Sequence, residues 1–284
     1  MYPCLLLYLL KIKNQIFLKT FPHLMRYNIR VIKNHITGER VNMTKETMKK
    51  RRSARSILLS LMIIIIALFA ISCYVRSEAK NRVPANIREM GQKYPEAMEY
   101  VEGYFEYKDA DLSMDVTKEM EEREIPLFIQ WDKRWGYKDY GGNYIGVAGC
   151  GPTCLAMVVC GLTGDASVNP YVVATYAADS HFYKYGEGTS WDLMTKGALN
   201  YGIKAMGGEN SAEFILNNLS EDTPMICSMR PGDFTYTGHF IVLTGVDDDG
   251  NIIVNDPNSR NNSKKHWDVD TLVSQIKAIW VYRR

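Results

Sequence analysis

Nineteen consecutive residues, Ile57–Val75, carry no formal charge and read ILLSLMIIIIALFAISCYV. A helix needs roughly 20 such residues to cross the hydrocarbon core of a bilayer, so the run reads first as a membrane span. Lys49, Lys50, Arg51, Arg52 and Arg55 crowd its N-terminal side, and Arg76 alone stands on the other. By the positive-inside rule the N-terminus faces the cytoplasm and everything after Arg76 lies outside the cell membrane. Two other readings stay open. A cleaved signal peptide usually has a shorter apolar region, and AISC at Ala70–Cys73 resembles a lipoprotein cleavage box with Ala70 where that box wants Leu.

The apolar run also decides how the charge is read. Residues 1–55 hold 13 Lys/Arg against 2 acids, which leaves 21 against 30 in residues 56–284. A basic head on an acidic body can mark nucleic-acid binding. Here the basic residues abut a membrane span and act as its topology signal, so no nucleic-acid partner is expected. Residues 1–42 are apolar and basic without clear helical period, whereas Met43 opens a conventional signal-anchor head, MTKETMKKRRSARS. Initiation at Met43 is favoured and residues 1–42 are assigned no function; the rival reading is a genuine cytoplasmic or membrane-surface segment.

Residues 77–124 are charged and poor in β-branched side chains, as befits a stalk. Within them YPEAMEYVEGYFEYK places Tyr94, Ala97, Met98, Val101, Tyr104 and Phe105 at helical spacing, with Pro95 suited to a first turn. Such an amphipathic helix should lie against the following domain or a partner. From about Ile125 the composition shifts to Trp, Gly and β-branched runs. PMICSM (Pro224–Met229), HFIVLTGV (His239–Val246), NIIVND (Asn251–Asp256) and AIWVY (Ala278–Tyr282) predict strands. TCLAMVVCGL, SWDLMTKGALNYG and SAEFILNNL predict helices, with Ser190 and Ser211 as N-caps of the latter two. Helices first and strands later predict an α+β domain over residues 125–284. The expected organisation is a basic cytoplasmic segment (1–55), a transmembrane signal-anchor (56–76), a charged stalk (77–124) and that domain.

The chemistry concentrates in GVAGCGPTCLAMVVCGLTG, Gly146–Gly164, which carries three of the six cysteines. The spacing matches no disulfide scaffold for so large a domain. For zinc, C-x₃-C-x₅-C lacks paired knuckles, and three ligands along one helix do not converge, so no metal is expected. Cys160 reads as a small buried apolar residue. Cys150 differs. Gly149 and Gly151 flank it, Pro152 fits a first helical turn, and an apolar helix follows. A thiol at a helix N-terminus faces the positive end of the dipole and unpaired N–H groups, which favour the thiolate. On these local features a reactive cysteine and a structural turn are equally good readings.

A cysteine nucleophile needs a base, and the base an orienting group. His239 opens one apolar strand and Asp256 closes the next, with DDDGN between them as a hairpin turn. If Asp248–Asp249 is the tip, Asp256 falls opposite Ile241 and His239 lies diagonally across on the same face. A lone histidine at a strand start is usually a satisfied polar residue; the ordered set Cys, His, Asp tips the balance. The aspartates of DDDG lack the alternating ligands and terminal Glu of a calcium loop, so the turn reading stands.

The blocks IPLFIQWDKRWGYKDYG, GCGPTCLAMV, GTSWDLM, PGDFTYTGHFIVLTG and VNDPNS resemble the bacteriocin-processing (double-glycine leader) peptidases and their stand-alone bacterial relatives, which are papain-like cysteine peptidases. The resemblance spans roughly Ile125–Arg284. It implies an α+β papain-like fold, with N-terminal helices packed on an antiparallel sheet. It implies Cys150 as nucleophile, His239 as general base, Asp256 as its orienter and Gln130 as oxyanion-hole donor, with no cofactor. The expected activity is hydrolysis of a peptide or isopeptide bond by a membrane-anchored extracellular enzyme acting on a peptide or protein substrate, cell-wall peptide included. An acyltransferase of transglutaminase type, or an inactive wall- or protein-binding module, are the competing readings.

Overall fold

The computed structural model describes residues 45–80 and 82–284, and the expected start at Met43 lies outside the described residues. The chain divides into two compact units, Met1–Asn81 and Arg82–Arg284. In the first, helix α1 runs from Lys45 to Lys80. Its Arg55–Val75 stretch has a mean hydropathy of 2.8 and is long and apolar enough to cross a membrane. Ile63, Ile65 and Phe69 on this helix stand exposed, as does every other large apolar side chain described between Ile57 and Val75.

The second unit is built on a six-stranded antiparallel sheet. Its strands are β1 (Lys204–Gly208), β2 (Met225–Met229), β3 (His239–Val246), β4 (Ile252–Asn255), β5 (His266–Trp267) and β6 (Ile276–Arg283), in the spatial order β1-β6-β2-β3-β4-β5. Side chains alternate across a strand with period 2. Ile226, Phe240, Val242, Trp280 and Tyr282 accordingly join one apolar cluster, and Cys227, Ile241, Leu243, Ile279 and Val281 another. Both faces of the central strands are therefore buried, which is why these segments read as near-continuous apolar runs rather than as half-polar strands.

The first cluster is completed by the central helix α3 (Cys150–Thr163), whose residues from Gly151 to Cys160 are all buried. An all-apolar helix of this length is a core helix rather than a surface one. Helix α4 (Pro170–Asp179) packs beside it. No element is predicted there from the sequence, although Asn169–Pro170 is a recognisable start: Asn169 Oδ1 accepts the N–H groups of Tyr171 and Val172, each at 3.1 Å. The second cluster is covered by α5 (Ala212–Asn218) and α6 (Val269–Gln275) through Ile215 and Leu272. Ser211 caps α5 as expected, accepting from Phe214 N at 3.2 Å. The SWDLMTKGALNYG segment contains a π-helical turn at Leu193–Gly197, and Ser190 Oγ accepts the Asp192 N–H just before it.

The β3–β4 hairpin departs from the simple expectation twice, and the departures cancel. Val246 pairs with Ile252, and Asp247 N donates to Asn251 O, so the loop is Asp248–Gly250 rather than a two-residue tip. Gly250 takes φ +84°, the left-handed conformation that closes a three-residue hairpin loop. A register shift between Leu243 and Gly245 then absorbs the extra residue, and Leu243 pairs with Val254 and Val242 with Asn255. At the end that carries His239 and Asp256, the ladder has the register expected for a tip at Asp248–Asp249.

The compact unit begins at Arg82, so the boundary expected at residue 125 falls inside it. Helix α2 (Ala85–Lys93) and the short helical turns that follow to Tyr107 form a third cluster, in which Ile87, Ala97 and Tyr100 pack with Ile129, Trp131 and Tyr137. Tyr100 Oη donates to Gly136 O at 2.7 Å and Tyr137 Oη to Tyr100 O at 2.7 Å. This apolar surface would face water in a free stalk, and burying it draws the segment onto the residues around Gln130.

Candidate active site

Cys150 is the first residue of α3, where its backbone N–H has no intrahelical acceptor. A short helical turn, Ile145–Ala148, precedes it, and Gly149 separates the two. The flanking glycines answer to packing. A Cβ on Gly149 would stand 2.5 Å from the Ile145 carbonyl oxygen, and one on Gly151 would stand 2.8 Å from the Thr189 methyl group. Cys150 is half-buried, while Cys154, one turn into the helix, is fully buried, as are Cys160 and Cys227. Burial pushes the Cys154 thiol well above its ordinary range and Cys160 up to about 12.

His239 is 7% exposed at the start of β3. Its Nε2 lies 2.7 Å from Asp256 Oδ1, which leaves Nδ1 for the other side of the ring. Burial alone would depress the imidazole pKa. The Asp256 charge and hydrogen bond, with a lesser contribution from the neighbouring Cys150, overcome it and raise the group to about 10. Cys150 and His239 thus line one cleft, and Asp256 holds the far side of the imidazole, three groups brought together across 106 residues of sequence.

Asp256 is fully buried and satisfied on every side. Besides His239, its Oδ1 accepts the Asn258 N–H at 2.8 Å, and its Oδ2 accepts from Asn262 Nδ2 at 2.8 Å. Its own N–H donates to Ser263 Oγ at 2.8 Å. Asn258, Asn262 and Ser263 had no role in the sequence reading. Asn258 sits inside VNDPNS, but its use depends on the loop folding back on Asp256, which spacing does not announce.

Gln130 is 3% exposed. Its backbone N–H donates to Pro257 O at 2.7 Å, and its Nε2 donates to Gly146 O at 2.9 Å. The carbonyl partner sets the amide orientation, since a flipped amide would oppose two oxygens. Oε1 has no partner among the described residues, and the second Nε2 hydrogen remains available. The nineteen residues between Gln130 and Cys150 loop out through the Asp139–Tyr144 hairpin and return, which brings the two to one place. A cleft of ≈ 190 Å³ is lined by Gln130, Cys150 and His239, with Tyr94, Tyr236 and Asn258 around them.

A buried helix packed on an antiparallel sheet, with a cysteine at the helix start facing a strand-borne histidine, is the papain-like α+β class. The chain belongs to the Peptidase_C39 like family, whose model matches residues 122–284. Among solved structures it is similar to a double glycine motif protease from an AMS/PCAT transporter in complex with the leader peptide. The identity is 23%, the match covers 46% of this chain and 81% of that one, and the TM-score is 0.35. No curated protein matches the chain.

Proposed function

We propose that the protein is a cysteine peptidase, held in the cell membrane by α1 with residues 82–284 outside, that hydrolyses a peptide or isopeptide bond through Cys150, His239 and Asp256. The observation that carries this reading is the 2.7 Å contact of the buried Asp256 with His239, which lines one cleft of a peptidase-family domain together with a helix-start cysteine. In this reading the Cys150 thiolate attacks the carbonyl carbon, and the oxyanion is stabilised by the Cys150 N–H and the free Gln130 Nε2 hydrogen. The tetrahedral intermediate collapses as the C–N bond breaks, and the amine leaves with a proton from the His239 imidazolium. Water then attacks the thioester, giving its proton to His239, and the C–S bond breaks to release the acid and restore the pair. Asp256 keeps the ring oriented and its charge favours the imidazolium.

The test is incubation of the full-length chain with a mixed peptide library, with new termini read by mass spectrometry. Wild-type protein should generate new N-termini, and Cys150→Ser and His239→Ala should generate none while retaining the fold. Cleavage that survives Cys150→Ser would sink the assignment. Amide products on added glycine ethyl ester, without new free acids, would move the protein to the acyltransferase class.

A further inference from the structure

One wall of the cleft comes from residues that precede the family match. Asn86, Glu89, Met90 and Lys93 of α2 line the same cavity as Gln130, Cys150 and His239, although the match begins at residue 122. Their spacing is that of one helix face, so α2 turns a single side to the cleft while Ile87 and Gly91 pack elsewhere. Tyr94 ends the helix in this wall. Its ring lies 6.0 Å from that of Tyr236, tilted by 45°. Tyr236 is 69% exposed, so the pair presents a continuous aromatic surface to whatever enters the cleft. Tyr94 shares the cleft lining with Cys150 and His239, which places it beside the reacting groups.

The wall is anchored rather than draped. Glu96 Oε2 accepts the Asn261 N–H at 3.1 Å and its Oε1 accepts from Ser259, and Glu99 pairs with Arg260 at 2.9 Å. These contacts tie the segment to the loop that holds Asp256. On the rim, Glu89 and Lys93 face each other at 3.9 Å, so no net charge is offered there. An aromatic face of this kind buries apolar groups well, gives a carboxylate no counter-charge, and returns to an ammonium only the weak ring attraction of an exposed site.

We propose that Tyr94 and Tyr236 form a specificity-determining subsite that seats an uncharged, apolar side chain of the substrate peptide next to the scissile bond. The inference rests on the cysteine-peptidase reading, and assigns substrate preference to a segment outside the family-matched domain. The experiment uses the full-length chain in detergent micelles and a panel of tripeptidyl vinyl sulfones carrying Leu, Phe, Asp or Lys at each varied position. Adducts on Cys150 are read by peptide mass, with iodoacetamide as a probe that needs no peptide seat. At one position the wild type should favour Leu or Phe over Asp and Lys by at least tenfold. Tyr94→Ala should cut that preference at least fivefold while iodoacetamide labelling changes less than twofold, and Tyr94→Phe should retain it. Tyr236→Ala, at an exposed side chain, should reproduce the loss in a variant whose packing is undisturbed. An unchanged preference in both Ala variants, or a parallel fall for every probe including iodoacetamide, overturns the subsite. A wild-type Cys150 that reacts with iodoacetamide and with no peptidyl probe sinks the peptidase reading itself.

Discussion

Cys150 and Cys154 share a helix face one turn apart, and position separates them. Cys150 starts the helix on the cleft, beside unpaired amides, whereas Cys154 is 0% exposed among apolar neighbours that hold its thiol protonated. At mildly acidic pH, limiting iodoacetamide should therefore alkylate Cys150 first, as read by peptide mass. Cys150→Ser should remove that fast phase and Cys154→Ser should keep it. The His239–Asp256 pair makes a second prediction. With burial working against the imidazolium, only Asp256 and Cys150 keep it charged up to about 10. Asp256→Asn should preserve ring orientation through the amide yet lose the charge, so the alkaline limb of the pH–rate profile should move down by more than one pH unit. A raised folded-state pKa contributes stability that is whole below the ordinary value of 6.5 and gone above about 10. The wild type should lose stability across that window, and Asp256→Asn should flatten the loss. An unmoved alkaline limb would remove Asp256 from the electrostatics of the site.

The loop from Asp256 to Ser263 is a small polar core of its own. Ser263, 3% exposed, accepts the Asp256 N–H and donates to Ser259 O at 2.8 Å. Ser263→Ala would leave a buried N–H unpaired, a cost of about 1–3 kcal/mol. For a domain of this size that corresponds to a melting-point drop of about 2–4 °C per kcal/mol, measurable by calorimetry. Cys150 labelling should slow in the same variant, because Asp256 loses its anchor. Asn169→Ala is the contrasting case. It removes the α4 cap at a cost of about 1 kcal/mol and should leave labelling alone. Equal effects of the two on labelling would mean that the site responds to global stability and not to this loop. The hairpin carries the same lesson about elements. Its three-residue loop and its bulge each shift the register by one, and only their combination leaves His239 beside Asp256.

For the whole molecule, the helix Arg55–Val75 and the basic residues before it predict a crossing there with residues 82–284 outside. External protease on intact cells should degrade the region after Arg76 and spare a tag placed after Met43; a protected C-terminal domain would reverse the orientation. The compact unit predicts its own limits. A chain beginning at Arg82 should fold, whereas one beginning at Glu122 uncovers Ile129, Trp131 and Tyr137, which are at most 6% exposed in the intact unit, and should aggregate or lose labelling.

What the sequence determined by itself is local. The uncharged run before Arg76, the apolar strands His239–Val246 and Ile252–Asn255, and a cysteine set between glycines at the head of an apolar helix are all written in adjacent residues. Each depends on length, period or a dipole within a few turns of chain. The start of α4 at Asn169–Pro170 is equally local. The tertiary structure alone decided the rest. It brings Glu96 to Ser259 across 163 residues, Tyr94 to Tyr236, and Asn262 to the carboxylate of Asp256. Those meetings follow from burying the α2 cluster on Ile129 and Trp131, and from a bulge that offsets a longer loop. Hydrophobic burial is non-directional and a register is set jointly by both strands, so no short stretch of sequence carries either result.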